Sequence, residues 1–210
     1  EGALPKLLKM LRILEHRGPD ATRIYYKKAE PAHPIHGFKG DVAIGHKILI
    51  TDKRTPPIGD QDIIVCDGRI YNPRTESASK LISDSIREYG VMEALRMIMD
   101  KFNGDYSFAL FDGEDIILAR DPIGIKPLYY KLGKDFIAFA SERKALWGIG
   151  IQDPKRLPPG TILINRKIIR LKRLPEKIET KWDYNTAKKR LGEALERAVR
   201  ERIQDLERVG

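Results

Sequence analysis

Between Gly104 and Tyr130 the chain reads GDYSFALFDGEDIILARDPIGIKPLYY, and no other stretch restricts the fold as much. Two apolar runs, 106–111 and 115–119, flank the turn Asp112-Gly113-Glu114 and predict a pair of strands; a third strand is predicted over 128–131. Runs this uniformly apolar belong in a sheet covered on both faces, because each side of the pleat must leave water. The corner before the third strand is Arg120-Asp121-Pro122-Ile123-Gly124-Ile125-Lys126-Pro127. Its two prolines fix φ and remove backbone donors, and Gly124 admits a positive φ. The corner is therefore expected to be rigid, with Arg120 and Asp121 structural, bracing it through charge-assisted hydrogen bonds.

Around this stretch, helical spacing predicts helices over 4–15, 76–89, 91–102 and 187–206, and a short one over 141–146 capped by Ser141. The first helix is expected to stop at Gly18, acting as its C′ residue, with Pro19 blocking continuation. Further strands are predicted over 22–28, 41–50, 62–66, 136–140, 161–165 and 167–171. Residues 67–73 read as a turn that re-enters extended structure, and 173–184 as an extended polar segment. Helices set between groups of mostly consecutive strands predict an α+β layered domain.

The chain has 210 residues, enough to bury a core, and a net charge of +9. Its Lys and Arg are spread along the sequence without interleaved aromatics, which speaks for solvated faces and against a nucleic-acid footprint. No apolar run reaches membrane-spanning length. A single cysteine, Cys66, excludes an internal disulfide and suits a reducing, cytoplasmic setting. Set in an apolar strand with no amine or His nearby in sequence, it reads as a small hydrophobe. With 33% charged residues and few Asn or Gln, the composition is thermophile-like. His33 and His36 lack an accompanying Cys or carboxylate cluster and read as loop histidines, so no metal site is expected. Lys126, beside Pro127, is placed to approach a ligand or to face solvent.

Six motifs then stand in a set order: His16-Arg17-Gly18-Pro19-Asp20, Asp67-Gly68-Arg69-Ile70-Tyr71-Asn72, residues 104–112, residues 118–130, Ala140-Ser141-Glu142 with Lys144-Ala145-Leu146, and Pro158-Pro159-Gly160. Together they resemble the N-terminal class II glutamine amidotransferase domain of the asparagine synthetase family. The resemblance implies a four-layer αββα fold of the N-terminal-nucleophile hydrolase type. It places an amidotransferase-like domain over 1–175 and a linker with the first helix of an ATP-dependent synthetase domain over 176–210. ATP and Mg would be cofactors only of that second domain, itself a partner in cis or trans; a homodimer is a further possibility the family raises.

In such domains an N-terminal cysteine attacks glutamine, with its own α-amine as base. The sequence opens Glu1-Gly2-Ala3, with no counterpart of the family's Cys-Gly-Ile strand, so no catalytic nucleophile is expected. The pocket positions have changed too. Asp67-Gly68-Arg69 stands where relatives carry Asn-Gly-Glu, and Ala78 falls where an Asp holds the substrate amine. Either Lys47 or Ile48 stands where an Arg grips the substrate carboxylate. By motif position Lys47, Asp67, Gly68, Arg69 and Ala78 form a vestigial substrate site, with Arg17 structural. The resemblance thus implies an amidotransferase domain whose glutamine hydrolysis is lost or impaired. Two rivals remain: an active amidohydrolase whose Cys strand lies outside this sequence, or a non-catalytic docking module for a synthetase domain.

Overall fold

The computed structural model describes residues 2–28, 40–49, 63–75, 77–174 and 181–203. Its first elements are α1 (Ala3–Ile13), β1 (Ala21–Lys27), β2 (Val42–Ile48), β3 (Ile63–Asn72), α2 (Ala78–Tyr89) and α3 (Val91–Lys101). There follow β4 (Asn103–Phe111), β5 (Ile116–Arg120), β6 (Tyr129–Leu132), β7 (Ile137–Ala140) and α4 (Arg143–Gly148). The last are β8 (Lys155–Arg156), β9 (Thr161–Ile164), β10 (Lys167–Arg170) and α5 (Tyr184–Ile203).

The two apolar runs are the neighbouring strands β4 and β5 in an antiparallel sheet ordered β10-β9-β5-β4-β3. Successive side chains leave a strand on opposite faces, so each run feeds two cores. Tyr106, Phe108 and Leu110 meet Ile82, Leu95 and Ile98 of α2 and α3. Ala109 and Phe111 point the other way, towards Val42, Ile44, Leu128 and Tyr130. That second β layer consists of two antiparallel sheets, β1-β2 and β7-β6-β8. Outside it lie α1 and α4, whose Met10, Ala145 and Leu146 pack with Ala140 and Tyr129. Three apolar cores thus separate four layers, α, β, β and α, and each fully buried large side chain contributes about 1.5–3 kcal/mol.

The corner holds two charges almost completely out of water. The Arg120 guanidinium donates to the carbonyls of Lys126 (2.7 Å), Leu157 (2.8 Å) and Gly124. The Asp121 carboxylate accepts from the backbone N–H groups of Ile123, Gly124, Ile125 and Lys126 at 2.5–3.2 Å. Gly124 has φ 75°, a conformation that glycine adopts at little steric cost. Each ion is thus surrounded by backbone dipoles of the opposite sign, which is what a buried charge requires.

Several local expectations change. Residues 67–72 do not turn: they continue β3, paired with β4 through Asn72–Asn103 around an irregularity after Ile70. Gly68 makes this possible, because at its φ of 138° an added Cβ would lie 1.9 Å from the Asp105 carbonyl oxygen. A turn motif read from Asp-Gly is here a site of close strand approach. Gly18 is not a left-handed C′ residue either: its φ is −170°, and α1 is followed by a short 3₁₀ turn, Glu15–Arg17. What Gly18 provides is room, since a Cβ there would lie 2.4 Å from the Ile48 nitrogen. The cap position of α4 is Glu142 rather than Ser141, without a side-chain cap bond. Helix α5 starts earlier than 187, at Tyr184, because the Asp183 carboxylate accepts from the N–H groups of Asn185 and Thr186 at 2.9 and 3.1 Å. Its predicted end at 206 lies outside the described residues. Among the described residues no helix is long and apolar enough to cross a membrane.

Candidate functional site

Alternation along β3 decides which of its side chains can act. Ile64, Cys66 and Ile70 enter the core beneath α2 and α3. Ile63 and Val65 face the second β layer, and Asp67 continues on that side. The Cys66 thiol is therefore buried with hydrocarbon. Burial, aided by the Asp67 charge, pushes its pKa up to about 12, leaving it a poor nucleophile at neutral pH.

Asp67 is the centre of a charged group assembled from five places in the chain. Arg17, from the 3₁₀ turn after α1, donates to the Asp67 carboxylate at 2.6 Å and to Glu142, before α4, at 3.3 Å. Lys126, from the corner, holds its ammonium 3.6 Å from Asp67 and 3.6 Å from Asp105 of β4. Tyr71 of β3 donates to Asp105. Glu142 also takes His16 at 2.8 Å and Lys144 at 3.1 Å. Partial burial pushes the Glu142 carboxyl up, but the bonds from His16, Lys144 and Arg17 outweigh it and bring its pKa down to about 2. Burial raises the Tyr71 phenol to about 12, with its bond to Asp105 adding to the shift. His46, on β2, faces the same space; burial lowers its pKa, partly offset by the Asp67 charge.

Beside this group lies a cavity of about 470 Å³ beneath α1, lined by successive residues of β2 (Val42 to His46) and of β7 (Ile137 to Ala140). Strand β2 pairs with β1 and β7 with β6, and neither has a strand partner on its other edge among the described residues. The floor is the five-stranded sheet, through Val65, Phe108 and Ala109. The space is long, mostly apolar and walled by two strand edges.

The structure brings together Arg17, Asp67 and, two residues along β3, Arg69, whose charge is close enough to lower the Tyr71 pKa. Gly68 lies between them as the glycine that the strand crossing demands. Two proposed positions stand apart. The Lys47 ammonium is held by Glu15 and Thr22, each at 2.7 Å, while Ile48 is buried and bridges to Pro19. Ala78 opens α2 after the cap Ser77 and packs on the helix-side core, on the face of the sheet away from Asp67. His33 and His36 lie outside the described residues. Among the described residues no three His, Cys, Asp or Glu side chains converge as a metal site would require.

Asp105, Tyr71, His46 and Glu142 received no role from sequence. The parity of β4 held the signal for Asp105, since it shares a face with Ser107 and Ala109 and pairs in register with Arg69. Chemically, the group sets the carboxylates of Asp67, Asp105 and Glu142 among the cations of Arg17, Lys126 and Lys144, with Asp67 at the edge of the cavity. Such a pattern suits a small zwitterion more than an apolar ligand.

The glutamine amidotransferase domain family matches residues 2–157. A putative glutamine-hydrolysing asparagine synthetase 1 of Methanocaldococcus jannaschii is 30% identical over 97% of this chain and 45% of its own length. Asparagine synthetase 1 of Bacillus subtilis is 29% identical over 66% of this chain and 23% of its own length. The chain thus spans less than half the length of these curated relatives. Among solved structures, a glutamine phosphoribosylpyrophosphate amidotransferase from B. subtilis covers 82% of the chain with a TM-score of 0.66 at 20% identity, matched over 47% of its own length. That likeness carries the fold, the αββα sandwich of the N-terminal-nucleophile hydrolases. The chain belongs to the glutamine amidotransferase domain family, in the form related to asparagine synthetases.

Proposed function

We propose that this chain is the glutaminase-type domain of an asparagine-synthetase-like protein, with glutamine hydrolysis lost or impaired. In this reading residues 1–175 form the amidotransferase-like unit, and 176–210 lead towards a synthetase domain, in cis or in trans, that uses ATP and Mg. The observation that carries it is the state of Asp67. By resemblance it stands where an Asn would donate to the developing oxyanion, yet it is a carboxylate engaged by Arg17 at 2.6 Å and Lys126 at 3.6 Å. A carboxylate accepts and cannot donate, and losing one oxyanion donor costs about 10²–10³ in rate.

The test is glutamate release by the chain fused behind a Cys-initiated strand of the family's Cys-Gly-Ile type. The proposal expects release near background, rising at least tenfold on Asp67→Asn. Robust turnover with Asp67 in place overturns it.

The cavity favours a second reading. The cavity beneath α1 is lined by β2 and β7, whose outer edges have no strand partner among the described residues, and an extended apolar segment seated there could pair with either edge. A strand seated there with a Cys at its start would supply the nucleophile next to Asp67 and make the domain an active amidohydrolase. Mass spectrometry of the native N-terminus tests the premise of this second reading: a mature Cys at residue one supports it, and any other N-terminus removes its nucleophile.

A further inference from the structure

Helix α5 has no buried residue, and it reaches the body of the domain at its last turn. There Glu201 accepts from the Asn103 side-chain amide at 2.7 Å, and the Arg202 guanidinium lies 4.6 Å from the centre of the Tyr71 ring. Tyr71 is the residue that donates to Asp105, and Asp105 shares Lys126 with Asp67. Arg202 thus stands four contacts from Asp67, the residue read above as occupying the oxyanion position.

We propose that Arg202 is a positioning residue through which the placement of α5 sets the electrostatic state of Asp67. Lys126 is the element with two arrangements. Its ammonium sits at 3.6 Å from both Asp67 and Asp105, committed to neither, and a shift towards one carboxylate is a shift away from the other. The Tyr71 hydroxyl decides the balance, because its donation to Asp105 satisfies part of what Lys126 would otherwise supply. Arg202 acts on Tyr71 in two ways: it pins the ring from above, and its charge makes the phenol a stronger donor. With Arg202 in place Asp105 is served by Tyr71 and Lys126 remains available to Asp67. With α5 displaced, Tyr71 is released, Lys126 moves to Asp105, and Asp67 keeps Arg17 but loses Lys126.

The apolar residues Leu191, Leu195 and Val199 of the same helix are exposed in a row, so whatever packs on α5 acts at the other end of this lever. The inference rests on the reading of Asp67 as a pocket residue, but its test does not use glutamine. The carboxylate carbon resonances of Asp67 and Asp105 are followed by NMR in the full chain at neutral pH. Arg202→Ala and Tyr71→Phe are each expected to move the Asp67 signal in the same direction. The double variant should move it no further than Tyr71→Phe alone, the mark of two residues acting in series. Arg200→Ala, which removes an exposed partner of Glu196 on the same helix, should leave it in place. An Asp67 signal unmoved by Arg202→Ala, in a protein whose amide spectrum is otherwise native, overturns the proposal, as does an additive double variant. Neither outcome depends on whether the domain hydrolyses glutamine.

Discussion

The guanidinium of Arg17 reaches the carboxylate of Asp67 at 2.6 Å across a separation of fifty residues, joining the 3₁₀ turn after α1 to the middle of β3. Since Arg17 also binds Glu142, it ties the chain after α1, strand β3 and the start of α4 at one point. Its replacement by Ala leaves two partly buried carboxylates with less compensation. An expected loss of about 1–2 kcal/mol in urea unfolding follows from removing one partner of such pairs. An unchanged midpoint would show the cluster to be only a surface array.

Gly68→Ala is expected to cost more than about 3 kcal/mol, since the new methyl would collide with the Asp105 carbonyl while the backbone stays at positive φ. Gly113→Ala is the control. It shares a positive φ, 106°, but a Cβ there meets nothing within 4 Å, so about 1 kcal/mol is expected. The difference between the two thermal midpoints separates collision from backbone strain.

Removing the Asp121 carboxylate by Asp121→Ala takes away the acceptor shared by the N–H groups of Ile123, Ile125 and Lys126, while the Gly124 N–H keeps the Asp121 carbonyl at 3.1 Å. The expected cost is about 3 kcal/mol or more, with Asp121→Asn between this variant and the parent. Denaturant unfolding with both variants checks the order.

Glu142 makes stability depend on acid. Its carboxyl titrates near 2 in the folded protein against an ordinary value of 4.5, so the folded state favours the ionised form. The stabilisation is complete above pH 4.5 and disappears as pH falls from there towards 2. Glu142→Gln is expected to lower stability by roughly 1–2 kcal/mol at neutral pH, allowing for solvent screening, and to flatten the dependence in that window. Unfolding curves at a series of pH values measure it directly.

The Cys66 thiol is expected to resist alkylation at pH 8 in the native protein, both because it is buried and because its pKa lies near 12. Reaction should follow unfolding, so its rate under native conditions reports global opening. Prompt modification of the folded protein would contradict the placement of Cys66 in the helix-side core.

The central strands were legible in the sequence because their apolar runs admit one solution, a sheet covered twice, and the layers follow from where helices fall between strands. The Asp-Gly-Arg segment misled because glycine serves both turns and tight strand crossings, and only the partner, Asp105, tells which is meant. The site was half legible. Asp67, Arg69, Tyr71 and Glu142 all stood in motifs, but the parts played by Tyr71 and Glu142 depend on contacts between residues far apart in the chain, for which a local pattern holds no signal. For the carboxylate grip the sequence left Lys47 and Ile48 as alternatives; in the structure Glu15 and Thr22 hold the Lys47 ammonium and Ile48 is buried, contacts that no local pattern announces.

The outer edges of β2 and β7 also bear on how the protein behaves in solution. Among the described residues neither strand has a partner on that edge, and such an edge is a template for adding backbone that a neighbouring molecule can supply as readily as a dedicated segment. Preparations of this chain with the cavity unfilled should therefore associate as concentration rises, through backbone pairing that mutation of surface side chains leaves intact. Filling the cavity with a strand is then a solubility device as much as a structural one.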